Sequence, residues 1–351
     1  MSNNHIEIDG RKIGPGHPVF IVAELSANHR QQFDEAVELI QKAKEAGADA
    51  VKLQTYTPDT ITIQSDRSEF RIGGGTPWDG KNLYDLYAEA YMPWEWQPKL
   101  KKLADELGIG LFSTPYDKTA VDFLEEMGVP AYKVASFEIV DIPLIEYIAS
   151  KGKPIIISTG MATLTEIDEA VQATRRAGAS QIALLKCTNA YPAPPEEMNL
   201  HSIPHLAEAF GLPVGLSDHT LEIAVPVGAV ALGACIVEKH FTLSRNIPSP
   251  DSAFSIEPEE FKTMVEAIRT VEKALDEVRY EAGEQEAKSL VFRRSLFAVK
   301  DMKAGETFTE ENVHSIRPGY GLHPRYLKEV LGRRAGQDIQ RGTPLSWELI
   351  S

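Results

Sequence analysis

The sequence of 351 residues has little cysteine and no long apolar run. Its two cysteines, Cys187 and Cys235, lie in apolar, strand-like segments, so buried free thiols are expected instead of a disulfide. The amino-terminal segment, MSNNHIEIDGRKIG, does not resemble a signal sequence, and no apolar run approaches the length of a membrane span. These absences predict a soluble, cytoplasmic protein with no membrane partner.

Positive charge is also scarce, because 36 lysines and arginines stand against 51 aspartates and glutamates, giving a formal net charge of −15. This charge argues against nucleic acid or an anionic membrane as a general partner. An anionic ligand would therefore have to be held by local cations. The remaining composition, 43% hydrophobic and 25% charged, is ordinary for a globular protein with a large domain and a smaller one.

One pattern recurs along the chain: an amphipathic helix, a glycine and a short apolar strand. Examples are KAKEAGADAVKLQ, LEEMGVPAYKVAS and VALGACIVEKH. The glycines stand where helices end in a left-handed residue, and continuous apolar strands are typical of parallel strands covered on both faces. With the first strand, PVFIVAE, the pattern gives eight strands and predicts an α/β fold, the (β/α)8 TIM barrel. The alternative, an open doubly wound sheet, would usually carry a glycine-rich fingerprint after its first strand, and none is present.

Composition divides the chain into three segments. Residues 1–278 are the predicted barrel domain, 279–290 (RYEAGEQEAKSL) a polar linker, and 291–351 a small β-rich domain. The last segment contains a weak internal repeat, in which DMKAGETFTEENV from Asp301 aligns with DIQRGTPLSWELI from Asp338. We therefore expect a small domain of two related halves.

One connection between a strand and a helix, which follows Tyr56, is unusually long. It is rich in aromatic residues, among them Trp78, Tyr84, Tyr87, Tyr91, Trp94 and Trp96. Connections of this length inside a compact domain generally form lids or binding loops, so this insert is predicted to build a pocket wall. The alternative is an ordinary subdomain with its own small core.

Polar residues collect at the ends of the predicted strands, which in a TIM barrel meet at the active-site face. The most informative are Lys52 and Lys133, because burying an ammonium group without a partner is costly. These lysines are expected to face an anion, with internal salt bridges to Glu24 or Glu138 as the alternative. Lysines combined with the neighbouring hydroxyl and amide groups suit a small phosphorylated carboxylate.

Two histidines follow the last two predicted strands, His219 in GLSDHT and His240 in VEKHF. Either histidine alone would usually be a hydrogen-bonded loop residue. In a barrel, however, strands seven and eight are adjacent, so the two imidazoles emerge side by side at its mouth. Imidazole combined with oxygen ligands suits Mn, Fe, Co or Zn better than Ca, and the pair predicts a divalent-metal site.

Long stretches of the chain resemble the sialic acid synthases, which condense phosphoenolpyruvate with an acylamino sugar. They include AELSANH, KLQTY, FSTPYD, AYKVASFE, LLKCTNAYPAPPEEMNL, GLSDHT and VEKHFTL. The tail, RRSLFAVKDMKAGETFTEENVHSIRPGYGLHP, resembles their carboxyl-terminal antifreeze-like (SAF) domain, a β-clip fold. Within the family, GGTPWDGKNLYDLYAEAYMPWEW is most similar to the pseudaminic acid synthases.

The resemblance implies a transferase that forms a C–C bond. Phosphoenolpyruvate, 2,4-diacetamido-2,4,6-trideoxy-L-altrose and water would give pseudaminic acid and phosphate, a step of nonulosonic acid biosynthesis. The enzymatic alternative is an N-acetylneuraminate or legionaminate synthase, which uses a mannose-configured acylamino sugar. The non-enzymatic alternative is a carbohydrate-binding scaffold.

The resemblance also implies roles for individual residues. A divalent metal, Mn²⁺ or Mg²⁺ with Co²⁺ as a further candidate, would be held by His219 and His240 and would polarise the sugar aldehyde. The implied catalytic residues are Glu24, Lys52, Lys133 and Asp251. The implied substrate-binding residues are Gln54, Thr114, Ser136, Glu138, Ser158, Asn189, Tyr191, Ser217 and Arg317.

Finally, the resemblance implies a homodimer in which SAF domains are swapped, each capping the barrel mouth of the other subunit. The linker could span up to roughly 40 Å when extended, and small domains commonly borrow stability from a partner. Arg317 would then reach the acyl group of a sugar bound by the other subunit. The alternative is that Arg317 merely anchors the turn RPGYG.

Overall fold

The structure is a computed structural model that describes residues 4–275 and 277–351. The chain divides into two compact units, Met1–Asp276 and Glu277–Ser351. Both cysteines are free and buried, as expected. Within the described residues, the search for a helix long and apolar enough to cross a membrane finds none.

Within residues 4–275, the first unit contains ten strands and ten α-helices. The strands are β1 (Ile6–Ile8), β2 (Arg11–Ile13), β3 (Phe20–Glu24), β4 (Ala50–Thr55), β5 (Gly110–Pro115), β6 (Tyr132–Val134), β7 (Ile155–Ser158), β8 (Ile182–Cys187), β9 (Val214–Asp218) and β10 (Ile236–His240). The helices are α1 (Phe33–Glu45), α2 (Pro58–Ile61), α3 (Leu83–Ala90), α4 (Gln97–Leu107), α5 (Lys118–Met127), α6 (Ile142–Ala149), α7 (Leu164–Arg176), α8 (Ser202–Phe210), α9 (Ala224–Ala231) and α10 (Pro258–Ala274).

Strands β3 to β10 form a closed parallel barrel, which confirms the predicted TIM barrel. Closure occurs where β10 pairs with β3, in a register that sets His240 beside Glu24. Every residue of β3, β6, β7, β9 and β10 is buried, as expected for parallel strands covered on both faces. The open-sheet alternative is therefore wrong.

Helix α5 shows how the recurring sequence pattern sets the element boundaries. It begins after Asp117, whose carboxylate accepts hydrogen bonds from the backbone N–H groups of Thr119 and Ala120. It ends at Gly128, which has a φ of 73°, a left-handed conformation that costs glycine little. The cap and the terminating glycine direct the chain into β6, and left-handed glycines also end α4, at Gly108, and α8, at Gly211.

The barrel interior is layered along the strand direction. The first layer is apolar and consists of Val22, Ala50, Phe112, Ala131, Ile156, Leu185 and Ile236. The hairpin of β1 and β2 packs on this layer through Ile6, Ile8 and Ile13. Because side chains alternate along a strand, residues two positions later share the same face. That second layer is mostly polar and consists of Glu24, Lys52, Thr114, Lys133, Ser158, Cys187 and Glu238.

The second unit has a small antiparallel sheet and a core of its own. Its elements are α11 (Glu284–Ala287), β11 (Ser295–Ala298), β12 (Val313–Ile316) and α12 (Leu327–Val330). The predicted repeat is visible as reciprocal pairing, because Met302 and Ile339 exchange backbone hydrogen bonds of 2.8 Å each. The carboxylate of Asp338 accepts from the Ala304 N–H, and that of Asp301 accepts from the Arg341 N–H. The two halves therefore occupy equivalent positions.

Candidate active site

The second layer of the barrel opens into a cavity of about 490 Å³ at the carboxyl ends of the strands. Its polar part, here called the floor, consists of Lys52, Lys133, Ser136, Ser158, Asn189, Ser217 and Glu238. Its apolar part, here called the wall, comes from the insert and consists of Ile61, Ile72, Trp78, Leu83, Leu86 and Tyr87. One cavity thus combines a charged, hydroxyl-rich side with an apolar side.

Most of the residues predicted for the site lie together in this cavity. Besides the floor residues, the lining includes Gln54, Glu138, Tyr191, His219, His240 and Asp251. Two further predicted residues, Glu24 and Thr114, lie in the same barrel layer and contact Lys52 directly. Arg317 belongs to the second unit, and its predicted role in the site stays a prediction.

Lys52 is paired with carboxylates. Its Nζ lies 2.5 Å from Oε2 of Glu24 and 3.7 Å from Oε1 of Glu238. For this lysine the structure therefore contains the internal salt bridge that we weighed as the alternative. Burial acts to lower the pKa of Lys52, but the two carboxylates outweigh it and raise that pKa. Burial raises the pKa of Glu24, with Lys52 acting in the opposite direction.

Lys133 has different partners. Its Nζ donates to Oγ of Ser158 at 2.6 Å and to the backbone oxygen of Val134 at 2.9 Å. Burial lowers the pKa of Lys133, and the more distant Glu238 only partly counteracts this effect. A bound anion would complete the environment of this ammonium group, because a buried cation is costly without an opposite charge.

Glu238 is a site residue that the sequence analysis did not select. Its Oε1 accepts a 3.0 Å hydrogen bond from Oγ of Ser217. Burial acts to raise its pKa, but Lys52 and Lys133 outweigh burial and lower it. The sequence does contain a signal for this residue. Glu238 lies inside the apolar run ACIVEKH, and a buried carboxylate, like a buried lysine, is costly without a partner.

Glu138 lies at the edge of the cavity, after β6. Its Oε2 atom is buried and has no hydrogen-bond partner among the described residues. Burial raises the pKa of Glu138 to about 7, so its protonation changes near neutral pH. A carboxyl group with this behaviour in a cleft is a candidate for proton transfer.

The imidazoles of His219 and His240 are neighbours, with ring centroids 5.2 Å apart. Nδ1 of His219 lies 2.8 Å from the backbone oxygen of Thr188, and Nδ1 of His240 lies 3.2 Å from Oγ of Ser26. Each ring therefore uses Nδ1 for a protein hydrogen bond and keeps Nε2 for another ligand. Among residues 4–275 and 277–351, no group of three or more His, Cys, Asp or Glu side chains is arranged to hold a metal ion.

The insert is attached to the loop that carries Asp251. Nε1 of Trp78 donates to the backbone oxygen of Pro250 at 2.8 Å, and the indole packs against Tyr191 and Phe254. The insert therefore contributes to the cavity, as the pocket-wall interpretation predicts.

The aromatic residues of the insert do not all serve the cavity. Trp78 and Tyr87 line it. Trp94 instead packs against Phe123 at a ring-centroid distance of 4.9 Å, and Trp96 packs against Phe33 at 5.7 Å. These two tryptophans stabilise the packing of the helices around the barrel.

The fold and the cavity define a TIM-barrel protein with a charged, hydroxyl-rich site at its mouth. The chain belongs to the NeuB family, whose model matches residues 39–280, and the SAF domain model matches residues 293–351. This confirms the resemblance to the sialic acid synthases and their SAF domain.

Relatives and a solved structure cover almost the whole chain. The pseudaminic acid synthase of Campylobacter jejuni (strain 81-176) is 47% identical over 327 residues, which are 93% of this chain and 95% of the relative. The pseudaminic acid synthase of Helicobacter pylori is 48% identical over 330 residues, 94% of this chain and 97% of the relative. The crystal structure of the spore coat polysaccharide biosynthesis protein spsE from Bacillus subtilis aligns with a TM-score of 0.68 and 35% identity, over 99% of both chains.

Proposed function

We propose that this chain is a pseudaminic acid synthase. It condenses phosphoenolpyruvate with 2,4-diacetamido-2,4,6-trideoxy-L-altrose and water to give pseudaminic acid and phosphate. The observation that carries the proposal is the cavity, in which a floor suited to an anion, a pair of imidazoles and an apolar wall meet. The two relatives described above, which are pseudaminic acid synthases, support the choice of sugar.

The floor binds phosphoenolpyruvate and the departing phosphate. Lys133 and Lys52 supply positive charge, while hydroxyl and amide groups donate to the remaining oxygens. Those neutral donors are the floor residues Ser136, Ser158, Asn189 and Ser217, together with Thr114, which contacts Lys52. The whole chain carries a net charge of −15, so an anionic substrate depends on this local group of cations for electrostatic attraction.

His219 and His240 fit a divalent metal, because both rings commit Nδ1 to the protein and keep Nε2 available. Mn²⁺ and Mg²⁺ are the first candidates, followed by Co²⁺. When bound, such an ion would supply Lewis-acid polarisation of the sugar aldehyde. Since no third protein ligand is grouped with the pair among the described residues, the remaining ligands would be substrate and water.

Carboxyl groups around the cavity hold and move protons. Glu24 accepts a 2.9 Å hydrogen bond from Nε2 of Gln54, lies against Lys52 and pairs in register with His240, which would hold the ion that polarises the aldehyde. Burial raises the pKa of Glu24, which suits a group that exchanges a proton during the reaction. Asp251 binds the hydroxyl groups of the sugar.

The wall selects the sugar. A 6-deoxy sugar with two acetamido groups presents methyl groups where N-acetylmannosamine presents hydroxyl groups, and an apolar aromatic surface favours the former. Trp78 and Tyr87 provide that surface, and Tyr191 packs against Trp78 at a ring-centroid distance of 5.6 Å. We assign the N-acyl contacts to Tyr191 and to Arg317.

A homodimer with swapped SAF domains completes the proposal. Large apolar side chains remain exposed in loops that follow the barrel strands: Phe137, Val140, Met161, Leu221 and Ile247. The second unit exposes Phe292, Tyr320 and Trp347. Exposed apolar side chains that cluster into one patch are typical of interaction surfaces. We propose that the SAF domain of a second copy covers the barrel rim. This arrangement would bring Arg317 to a sugar bound by the other subunit.

Phosphate release from phosphoenolpyruvate tests the activity. We expect release with 2,4-diacetamido-2,4,6-trideoxy-L-altrose, and much slower release with N-acetylmannosamine or the legionaminate precursor. Comparable or better kcat/KM with either of these sugars would refute the pseudaminic assignment and leave the synthase chemistry intact. Binding of the sugars without release of phosphate would identify a carbohydrate-binding scaffold.

Subunit mixing tests the dimer. Arg317→Ala and Lys133→Met chains, each inactive alone, are combined under conditions in which subunit exchange is monitored by labelled chains. If the sites are shared in trans, one site of the mixed dimer carries both substitutions and the other carries neither, so activity returns. Exchange without recovered activity would show that the trans arrangement is wrong.

A further inference from the structure

Two adjacent strands of the barrel end with the same order of side chains, a charged residue followed by a histidine. Asp218 is the last residue of β9 and is followed by His219, while Lys239 precedes His240 at the end of β10. In the ladder between these strands, Lys239 lies opposite Asp218. The two opposite charges therefore stand one position before the two imidazoles.

The charged residues, here called the buried pair, lie on the outer face of the barrel sheet. Because side chains alternate along a strand, residues two positions apart share a face. Leu216 and Val237, two positions before Asp218 and Lys239, belong to the apolar cores that the strands form with the surrounding helices. The imidazoles line the cavity on the inner face. The buried pair thus lies directly behind the imidazole pair.

The ammonium group of Lys239 is buried and holds the loop that follows β9. Its Nζ lies 2.6 Å from Oδ2 of Asp218 and donates to the backbone oxygens of Thr220 and Glu222. Asp218 in turn accepts from the backbone N–H of Thr220 at 3.0 Å and from its hydroxyl at 3.1 Å. One ion pair on β9 and β10 therefore fastens the chain immediately after His219.

Net stability is not a sufficient reason for such an ion pair. Taking two charges out of water is costly, and replacing a buried pair by apolar residues is often neutral or stabilising. Charge-assisted hydrogen bonds do, however, fix the position of the groups that they join. Lys239 also has no part in binding an anion in the cavity, because it faces away from the floor.

We propose that Asp218 and Lys239 are positioning residues, which set the spacing of the imidazoles of His219 and His240 by holding the loop after β9 onto β10. The functional meaning rests on the divalent metal proposed above. The ring centroids are 5.2 Å apart, and no third protein ligand is grouped with them within the described part of the chain. Metal affinity would therefore depend strongly on how these two rings are held.

The first test replaces both members of the buried pair at once. A single substitution would leave an unpaired buried charge, which is strongly destabilising. The double variant Asp218→Asn, Lys239→Met removes both charges, keeps an acceptor for the Thr220 N–H and should remain folded. We expect calorimetry to show Mn²⁺ binding about 10- to 100-fold weaker than in the parent. Parent-like Mn²⁺ affinity in the folded double variant would refute the positioning role.

The double variant Asp49→Asn, Arg269→Met is the matched control. This ion pair lies at the amino-terminal end of the barrel, where Nη2 of Arg269 is 2.9 Å from Oδ2 of Asp49. The same carboxylate accepts from the backbone N–H of Ile21 at 2.9 Å, as Asp218 does from Thr220. These substitutions should leave Mn²⁺ affinity unchanged even if they lower Tm. An equal loss of affinity in both double variants would assign the effect to general destabilisation and overturn the proposal.

The second test needs no metal. Hydrogen exchange of the metal-free full chain is followed by mass spectrometry in the segment 219–223. Exchange there should be faster in Asp218→Asn, Lys239→Met than in the parent or the control, because the loop loses the ammonium group that holds its backbone oxygens. Unchanged exchange would overturn the proposal. A parent protein that binds no Mn²⁺ would instead refute the metal assignment, and hydrogen exchange would still decide whether the buried pair holds this loop.

Thr220→Val provides the decision if the double variant does not fold. It keeps the shape of the side chain and removes a hydroxyl that contacts both Asp218 and Lys239. We expect weaker Mn²⁺ binding than in the parent, together with faster exchange in the segment 219–223. Parent-like values of both quantities would refute the positioning role.

Discussion

The floor and the wall of the cavity are built in different ways. The floor residues stand on barrel strands or directly after them, and several lie two positions beyond an apolar core residue of the same strand. The wall stands on the long connection between β4 and α4, which is attached by contacts such as the hydrogen bond from Trp78 to Pro250. Rigid strands suit catalytic geometry, and a connecting segment can change without disturbing the barrel. We infer that the floor sets the reaction and the wall sets the choice of sugar.

The largest effect on activity is expected when one histidine of the imidazole pair at the edge of the floor is removed. His219→Ala or His240→Ala should lower kcat by roughly 1,000-fold, equivalent to about 4 kcal/mol, with every sugar tested. Chelation should have the same effect, and added Mn²⁺, Co²⁺ or Mg²⁺ should restore only the parent. His205→Ala, an exposed histidine on α8, is the control and should retain full activity. Undiminished turnover by a chelator-treated double variant would contradict the prediction.

A smaller loss is expected when the floor lysines are changed. Lys133→Met and Lys52→Met should lower kcat/KM for phosphoenolpyruvate by about 100-fold, because an anion loses its charged partner. The KM for the sugar should change much less. Steady-state kinetics with each substrate varied in turn provides the measurement.

Lys186→Met is the matched control for the floor lysines. This half-buried lysine on β8 lies outside the cavity lining and donates to Oγ of Thr188 at 3.2 Å. Its replacement should leave the KM for phosphoenolpyruvate unchanged. If Lys52→Met or Lys133→Met is poorly folded but has a normal KM when folded, the lysine is a structural ion-pair partner.

Glu138 lies where the floor meets the wall, and its pKa of about 7 affects stability. The folded chain keeps this carboxyl protonated to higher pH than the unfolded chain, whose carboxyl has a pKa near 4.5. Stability from this group is therefore present at low pH and lost as pH rises through 7. Relative to Glu138→Gln, the parent should lose about 2–3 kcal/mol of unfolding free energy between pH 5 and pH 8. Urea unfolding at both pH values measures this, and parallel pH dependences in the two proteins would contradict it.

The smallest effect is expected from the wall. Trp78→Ala should lower kcat/KM for the 2,4-diacetamido sugar by about tenfold, the loss typical of one apolar contact surface. The KM for phosphoenolpyruvate should stay the same, which distinguishes wall from floor. Tyr84→Phe, which removes a hydroxyl bonded to Asp59 away from the cavity, is the control. A Trp78→Ala protein that is impaired mainly towards phosphoenolpyruvate would contradict the separate roles assigned to the floor and the wall.

The barrel and most of the floor could be predicted because both depend on local patterns. Helix, glycine and apolar strand recur in the sequence, and the polar residues follow each strand. The pairing of Lys52 with Glu24 could not be read from the sequence, since it depends on the register of β3 against β4, which sets these two residues side by side. A buried lysine that binds an anion and a buried lysine in an internal salt bridge have the same sequence signal, so the sequence alone does not distinguish them.

The wall was harder to predict in detail. An aromatic residue in the insert has the same sequence signal whether it faces the cavity, as Trp78 does, or packs between helices, as Trp94 does. Long-range geometry of this kind has no local pattern.

The hairpin of β1 and β2 has a kinetic consequence. Ile6, Ile8 and Ile13 fill the amino-terminal end of the barrel, so the cavity is a well that is closed at its base. The floor lies deeper than the wall, since Lys133 is 1% exposed and Lys52 4% exposed, whereas Trp78 is only partly buried. A sugar resting against the wall would cover the floor beneath it. We therefore expect a compulsory order, in which the three-carbon substrate enters first and its phosphate departs only after the nine-carbon product has left.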